Sequence, residues 1–124
     1  MIQIDLYTEN YMGELETTLI EKNNSNQIIF ELRMFSADFS SIVNWIPFDT
    51  NSHNESLVYL YNMNMDFGND FTEIKRLQEF YNQLLSISNQ IQPHPLGLFD
   101  YDSLKQICLS TLQNGNKLFI KQNH

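Results

Sequence analysis

The chain has 124 residues, 42% hydrophobic and 13% aromatic, with a formal charge of −8 and a pI near 4.6. That length and apolar content predict one folded domain, 1–124, whose core needs neither metal nor disulfide support. Seven basic residues against fifteen acidic ones exclude phosphate-neutralising nucleic-acid binding and adhesion to anionic lipid, and favour a basic partner.

In chain order, "IQIDLYT" alternates Ile2, Ile4 and Leu6 against Gln3, Asp5 and Tyr7, the period of a strand with one buried face. "GELETTLIEK" (13–22) fits two readings. As a helix it aligns Tyr11, Leu15 and Leu19; as a strand it separates Leu15, Thr17 and Leu19 from Glu14, Glu16 and Thr18. The adjacent Thr17 and Thr18, with Ile20, weaken the helix because β-branched side chains restrict χ1. "NNSN" (23–26) is a turn, and "QIIFELRMF" a second alternating strand with Ile28, Phe30, Leu32 and Met34 on one face. The three segments together predict an antiparallel meander.

Phe39, Ile42, Val43 and Ile46 predict a short helix over 37–45, which Pro47 limits. "TNSHNES" is a polar loop, and "SLVYLYN" (56–62) reads as a strand rich in β-formers. Phe71, Ile74, Leu77, Phe80, Tyr81, Leu84, Leu85 and Ile91 predict a long helix over 71–91, with Asp70 and Glu73 as its capping box. "QPHPLG" (92–97) is a rigid linker. Leu104, Ile107, Cys108 and Leu112 line another helix opening at Ser103, "NG" at 114–115 ends it, and "KLFIKQ" is the last strand. The predicted class is α+β: an antiparallel sheet of about five strands with two or three helices on one face.

The chemistry-bearing residues are sparse. Asn62, Asn64, Asp66 and Glu73 stand at the first, third, fifth and twelfth places of a calcium-loop spacing. The sixth place holds Phe67 instead of glycine, and a polar turn followed by a cap explains the segment better. His53, His94 and His124 lie far apart, and with one cysteine they predict no zinc site. Cys108 falls on an apolar helix face and reads as a core residue. Asp100 and Asp102 form a loose carboxylate pair, read more simply as turn and helix-start residues. No nucleophile elbow or phosphate-cradling loop is present, so the expectation is no enzyme, no catalytic residue, no metal and no cofactor.

Recognition of another protein is left. From Met1 to Glu21 there are five acids and no Lys or Arg. "VYLYNMNMDFGND" sets Tyr59 and Tyr61 among Asp66 and Asp70, and "NWIPFD" sets Trp45 and Phe48 beside Asp49. Aromatic rings bury much area at little entropic cost and dominate protein-binding hot spots. The predicted partner-binding residues are Glu14, Glu16, Asp49, Asp66 and Asp70 for charge, with Trp45, Tyr59 and Tyr61 as anchors.

In length, acidity, these aromatics and the lack of a catalytic motif, the chain resembles the small acidic immunity proteins of bacterial toxin–immunity pairs, including contact-dependent growth inhibition systems. That resemblance implies a cytoplasmic monomer that binds a cognate toxin, often a basic nuclease, and neutralises it. The first residues show no basic-then-apolar leader pattern and no apolar run reaches a membrane-spanning length of ~20 residues, which agrees with that location. Two other readings stay open at this point: an adaptor subunit of a larger assembly, and a small-molecule binder.

Overall fold

The computed structural model describes residues 1–7, 15–48, 51–64, 67–89 and 95–122. Within them the elements run β1 (Ile2–Asp5), β2 (Glu16–Lys22), β3 (Ile28–Phe35), α1 (Ser36–Asn44), α2 (Leu57–Asn64), β4 (Thr72–Glu73), α3 (Leu77–Ser86), α4 (Pro95–Asn114) and β5 (Lys117–Gln122). The class is α+β, with one five-stranded sheet in the order β1-β3-β2-β5-β4.

β2 is the central strand. It pairs antiparallel with β3 on one side and β5 on the other, so Leu19 lies between Leu32 and Ile120. The run Thr17, Thr18, Leu19, Ile20 and Glu21 is buried throughout, which is why it lacks the alternation of a half-exposed strand. The ambiguity over 13–22 resolves to strand for 16–22. The hairpin before β3 turns at Asn23–Gln27. Asn26 has φ 61°, and the Asn23 side chain accepts from the Ser25 and Gln27 amides.

The sheet is mixed. β1 does not continue a meander; it crosses to the far side of β3 and runs parallel to it, Ile4 opposite Leu32. Local alternation specifies that a segment is a strand, but carries nothing about which neighbour it selects.

Two further expectations are corrected. "SLVYLYN" is helical, not extended: Leu57, Val58 and Tyr61 turn inward at helical spacing, and the Leu60 amide donates to the Ser56 carbonyl at 2.9 Å. Here tertiary burial overrides β propensity. The long helix predicted from 71 begins only at Leu77. Thr72 and Glu73 form an edge strand on β5, and the Ile74 amide donates to Leu118 at 2.8 Å. Asp70 therefore caps nothing, and Arg76 occupies the residue before α3. The final helix starts earlier than expected, with Pro95 in its first turn, where a missing N–H costs nothing. It ends as expected. Gly115 has φ 65°, its amide reaches Leu112, and the Asn116 amide reaches Thr111, closing a Schellman turn.

α1 and α4 lie on one face of the sheet, and α3 packs on α4. Leu19, Phe30, Leu32, Met34, Leu118 and Ile120 meet Phe39, Val43, Phe80, Leu104, Ile107 and Cys108 in one core. Two polar groups are sealed at its ends. Glu21 is fully buried, and its carboxylate accepts from Ser110 (2.6 Å), Asn114 (3.1 Å) and Asn116 (2.7 Å). At the other end Thr17 bonds Ser36 and accepts from Gln122. No helix of the described residues is long and apolar enough to cross a membrane.

Leu19→Ala, at the centre of β2, is expected to destabilise the fold by about 3 kcal/mol in urea denaturation. Leu85→Ala, on the exposed side of α3, is expected to change stability by less than about 0.5 kcal/mol.

Candidate functional site

Among the described residues the opposite face of the sheet carries no helix. Strand registers place Gln3 and Asp5, Glu31 and Arg33, Glu16, Thr18, Ile20 and Lys22, Lys117, Phe119 and Lys121, and Glu73 on it. Ile20 is only 1% exposed although it lies outside the core cluster. Its cross-strand neighbours Glu31 and Phe119 flank it on this open face. Arg33 organises one end: its Nε donates to Glu16 at 2.7 Å and its Nη1 to Asp5 at 2.8 Å, while its guanidinium lies over the Tyr7 ring. This Arg33 contact holds the Glu16 carboxyl below its ordinary range, against the opposing effect of burial.

Charge on this face is balanced. Lys22, Arg33, Lys117 and Lys121 are four of the seven basic residues, and Asp5, Glu16, Glu31 and Glu73 match them on the same face. The formal −8 falls entirely on the rest of the chain. The three bases there are already engaged: Lys75 with Glu55, Arg76 with Glu79, and Lys105 with Asp102.

On the helical side, the end of α1 and the start of α2 display rings. Trp45 is 45% exposed at the α1 C-terminus and Phe48 is 42% exposed three residues on. The Phe48 ring lies 6.3 Å from that of Tyr59, and Met63, four residues further along α2, is 58% exposed. Helical spacing puts Tyr59 and Met63 on one face.

The predicted binding residues thus separate into groups. Trp45 is exposed, Tyr59 is half-buried beside Phe48, and Asp70 is exposed. Tyr61 is turned inward: its ring meets Phe39 at 6.0 Å and Phe67 at 6.1 Å, and its hydroxyl bonds Ser40. As a helix, α2 sends Tyr59 and Tyr61 in different directions, whereas the strand reading pointed both outward. Glu16 lies on the open sheet face, clamped by Arg33. Glu14, Asp49 and Asp66 lie outside the described residues. Met63 was not foreseen, because the i, i+4 relation to Tyr59 exists only in a helix.

The calcium spacing is not assembled as a loop. Asn62 is in α2, bonded to the Val58 carbonyl, while Glu73 is in β4 on the open sheet face. Among the described residues no group of three His, Cys, Asp or Glu side chains could hold a metal ion. His53 accepts from the Glu55 amide in a turn; His94 and His124 lie outside the described residues. Cys108 is fully buried, and burial pushes its thiol well above the ordinary range.

The Asp100–Asp102 pair does not form: Asp102 is exposed beside Lys105. Asp100 is 4% exposed on α4 and meets Asp38 in the first turn of α1. Burial, then the bond to the Asp38 side chain, raises Asp100 to about 7. Its protonated form donates to Asp38 and joins the two sheet-packing helices. Nothing local in the sequence links residues so far apart.

Comparison with protein-family models, with curated proteins and with solved structures returns no match to this chain.

A carboxyl raised from 3.8 to about 7 on folding contributes stability that is complete at low pH and lost as pH rises through about 7. Asp100→Asn keeps a donor for Asp38 and removes this loss. The variant is expected to be more stable than the parent at pH 8 by on the order of 2 kcal/mol, with no gain at pH 4, in denaturation measured across that range.

Proposed function

We propose that this chain acts by binding a basic protein domain, and that it is an immunity-type inhibitor neutralising a cognate toxin in the cytoplasm without catalysis of its own. The observation that carries this reading is that the charges of the open sheet face cancel, leaving the net negative charge to the rest of the chain, which also displays the exposed rings of Trp45 and Phe48, the latter beside Tyr59. Excess carboxylates draw a cationic surface into encounter, and the rings then supply the desolvated contact that slows dissociation. A nuclease groove built to hold phosphates is a cationic surface of this kind.

Asp70 contributes steering charge, and Glu14, Asp49 and Asp66 are assigned the same role from their sequence positions. Glu16 and Tyr61 have internal partners and serve the fold. An adaptor or small-molecule role has no comparable support.

The test is capture of the partner from the native cell, followed by expression of the captured domain in cells with and without this chain. Killing only in its absence supports the proposal; a harmless or acidic partner overturns it. With that partner in hand, Trp45→Ala and Tyr59→Ala are each expected to weaken binding by about 2 kcal/mol, chiefly through faster dissociation. Asp70→Lys is expected to slow association and flatten its dependence on salt. Unchanged kinetics in all three variants place the docking surface elsewhere.

A further inference from the structure

A small cavity opens beside the β2–β3 turn, lined by Lys22, Asn23, Asn24, Asn26, Lys117 and Phe119, with a volume of about 220 Å³. Lys22 and Lys117 are direct cross-strand partners on the open sheet face. Like charges in that relation destabilise a sheet. The nearby carboxylates do not relieve them. Glu21 points to the opposite face and is held by Ser110, Asn114 and Asn116. Glu31 accepts from Gln3. Among the described residues neither lysine has an ion pair.

The β2–β5 register runs without a break to the Lys22–Lys117 pair. The Lys22 ammonium is held over the Phe119 ring at 5.3 Å. The turn is closed by its own bonds, from the Asn23 amide to Gln27 and from the Asn26 amide to Asn23, each 3.0 Å. Among the described residues the side-chain amides of Asn24 and Asn26 have no partner. Two positive charges, free amide donors and an apolar wall thus face one hollow in a protein that is otherwise strongly acidic.

We propose that this cavity binds a small phosphate-bearing dianion. Two ammonium groups at one register position match a doubly charged ligand, and the amides supply neutral donors to its oxygens. The volume is below the ~300 Å³ at which drug-sized pockets begin, so the ligand is a free phosphate or a compact phosphate ester. The site stands on the sheet face, apart from the Trp45–Tyr59 patch, and holds whether or not the chain inhibits a toxin.

The test titrates the isolated chain with inorganic phosphate, phenyl phosphate and acetate, with chloride making up a constant ionic strength. Backbone amide shifts of residues 22–26 and 117–119 are followed by NMR. Phosphate is expected to shift these amides saturably, with acetate and chloride much weaker. Phenyl phosphate binding more tightly than inorganic phosphate identifies an ester ligand resting on Phe119; equal affinity identifies free phosphate. Lys22→Gln and Lys117→Gln are each expected to weaken phosphate binding about tenfold, while Lys105→Gln, on α4 at the opposite face of the sheet, leaves it unchanged. Non-saturating shifts, equal response to acetate or chloride, or an equal loss in Lys105→Gln overturns the proposal. Because the lysine variants remove a like-charge pair, they are also expected to melt no lower than the parent, which separates lost binding from lost folding.

Discussion

The structure depends on a sheet that, among the described residues, carries helices on one face only. α1 and α4 close over Leu19, Leu32 and Ile120, and the main hydrophobic core is gathered there. The other face must be made compatible with water by its side chains alone. It does so with long cationic stems and carboxylates laid across short buried residues such as Ile20 and Thr18, an arrangement in which alkyl chains shield the sheet while charged ends stay wet. Three of the five lysines and Arg33 stand on this face with four carboxylates, so its formal charge cancels and the net negative charge belongs to the rest of the chain.

The same constraint explains the two buried polar ends. A central strand that is covered on the core side and crowded on the other has no exposed position along its length. Thr17 and Glu21 mark where β2 passes under helix ends instead of helix middles, and each is met there by side-chain partners: Ser36 at the start of α1, and Ser110, Asn114 and Asn116 around the end of α4. The polar residues that made this strand hard to recognise from its sequence are those that set its position under the helices.

Legibility followed the physics of each signal. β3, β5 and the Gly115 helix stop were readable because alternation and a positive-φ glycine are local properties. β1 was readable as a strand but not as the parallel neighbour of β3, since pairing partner is a long-range choice. α2 was misread because Val58, Tyr59 and Tyr61 are β-formers, while the burial of Leu57, Val58 and Tyr61 that selects a helix depends on α1 and Phe67. The run from Phe71 to Leu84 is compatible with a helix throughout, and only the free edge of β5 diverts its beginning into β4. In the candidate site, Trp45 is exposed, while Tyr59 is half-buried and Tyr61 turned inward once their segment proved helical. The Asp38–Asp100 contact carries no trace in local pattern. The Lys117, Phe119, Lys121 alternation, by contrast, is local to "KLFIKQ", although the expectation for that segment is a strand alone.

The position of β2 between β3 and β5 also constrains how the chain reaches its native state. Its pairing with β3 needs only a five-residue turn, but its other edge is completed by Lys117–Gln122, roughly a hundred residues later in synthesis. Until that segment leaves the ribosome, the central strand has an open hydrogen-bonding edge and Glu21 lacks its α4 partners. A fold closed by its final strand is built slowly from distant contacts and is vulnerable to intermolecular strand pairing while it waits. For this molecule, pairing of β5 with β2 is the event that converts a sticky nascent chain into a sealed one.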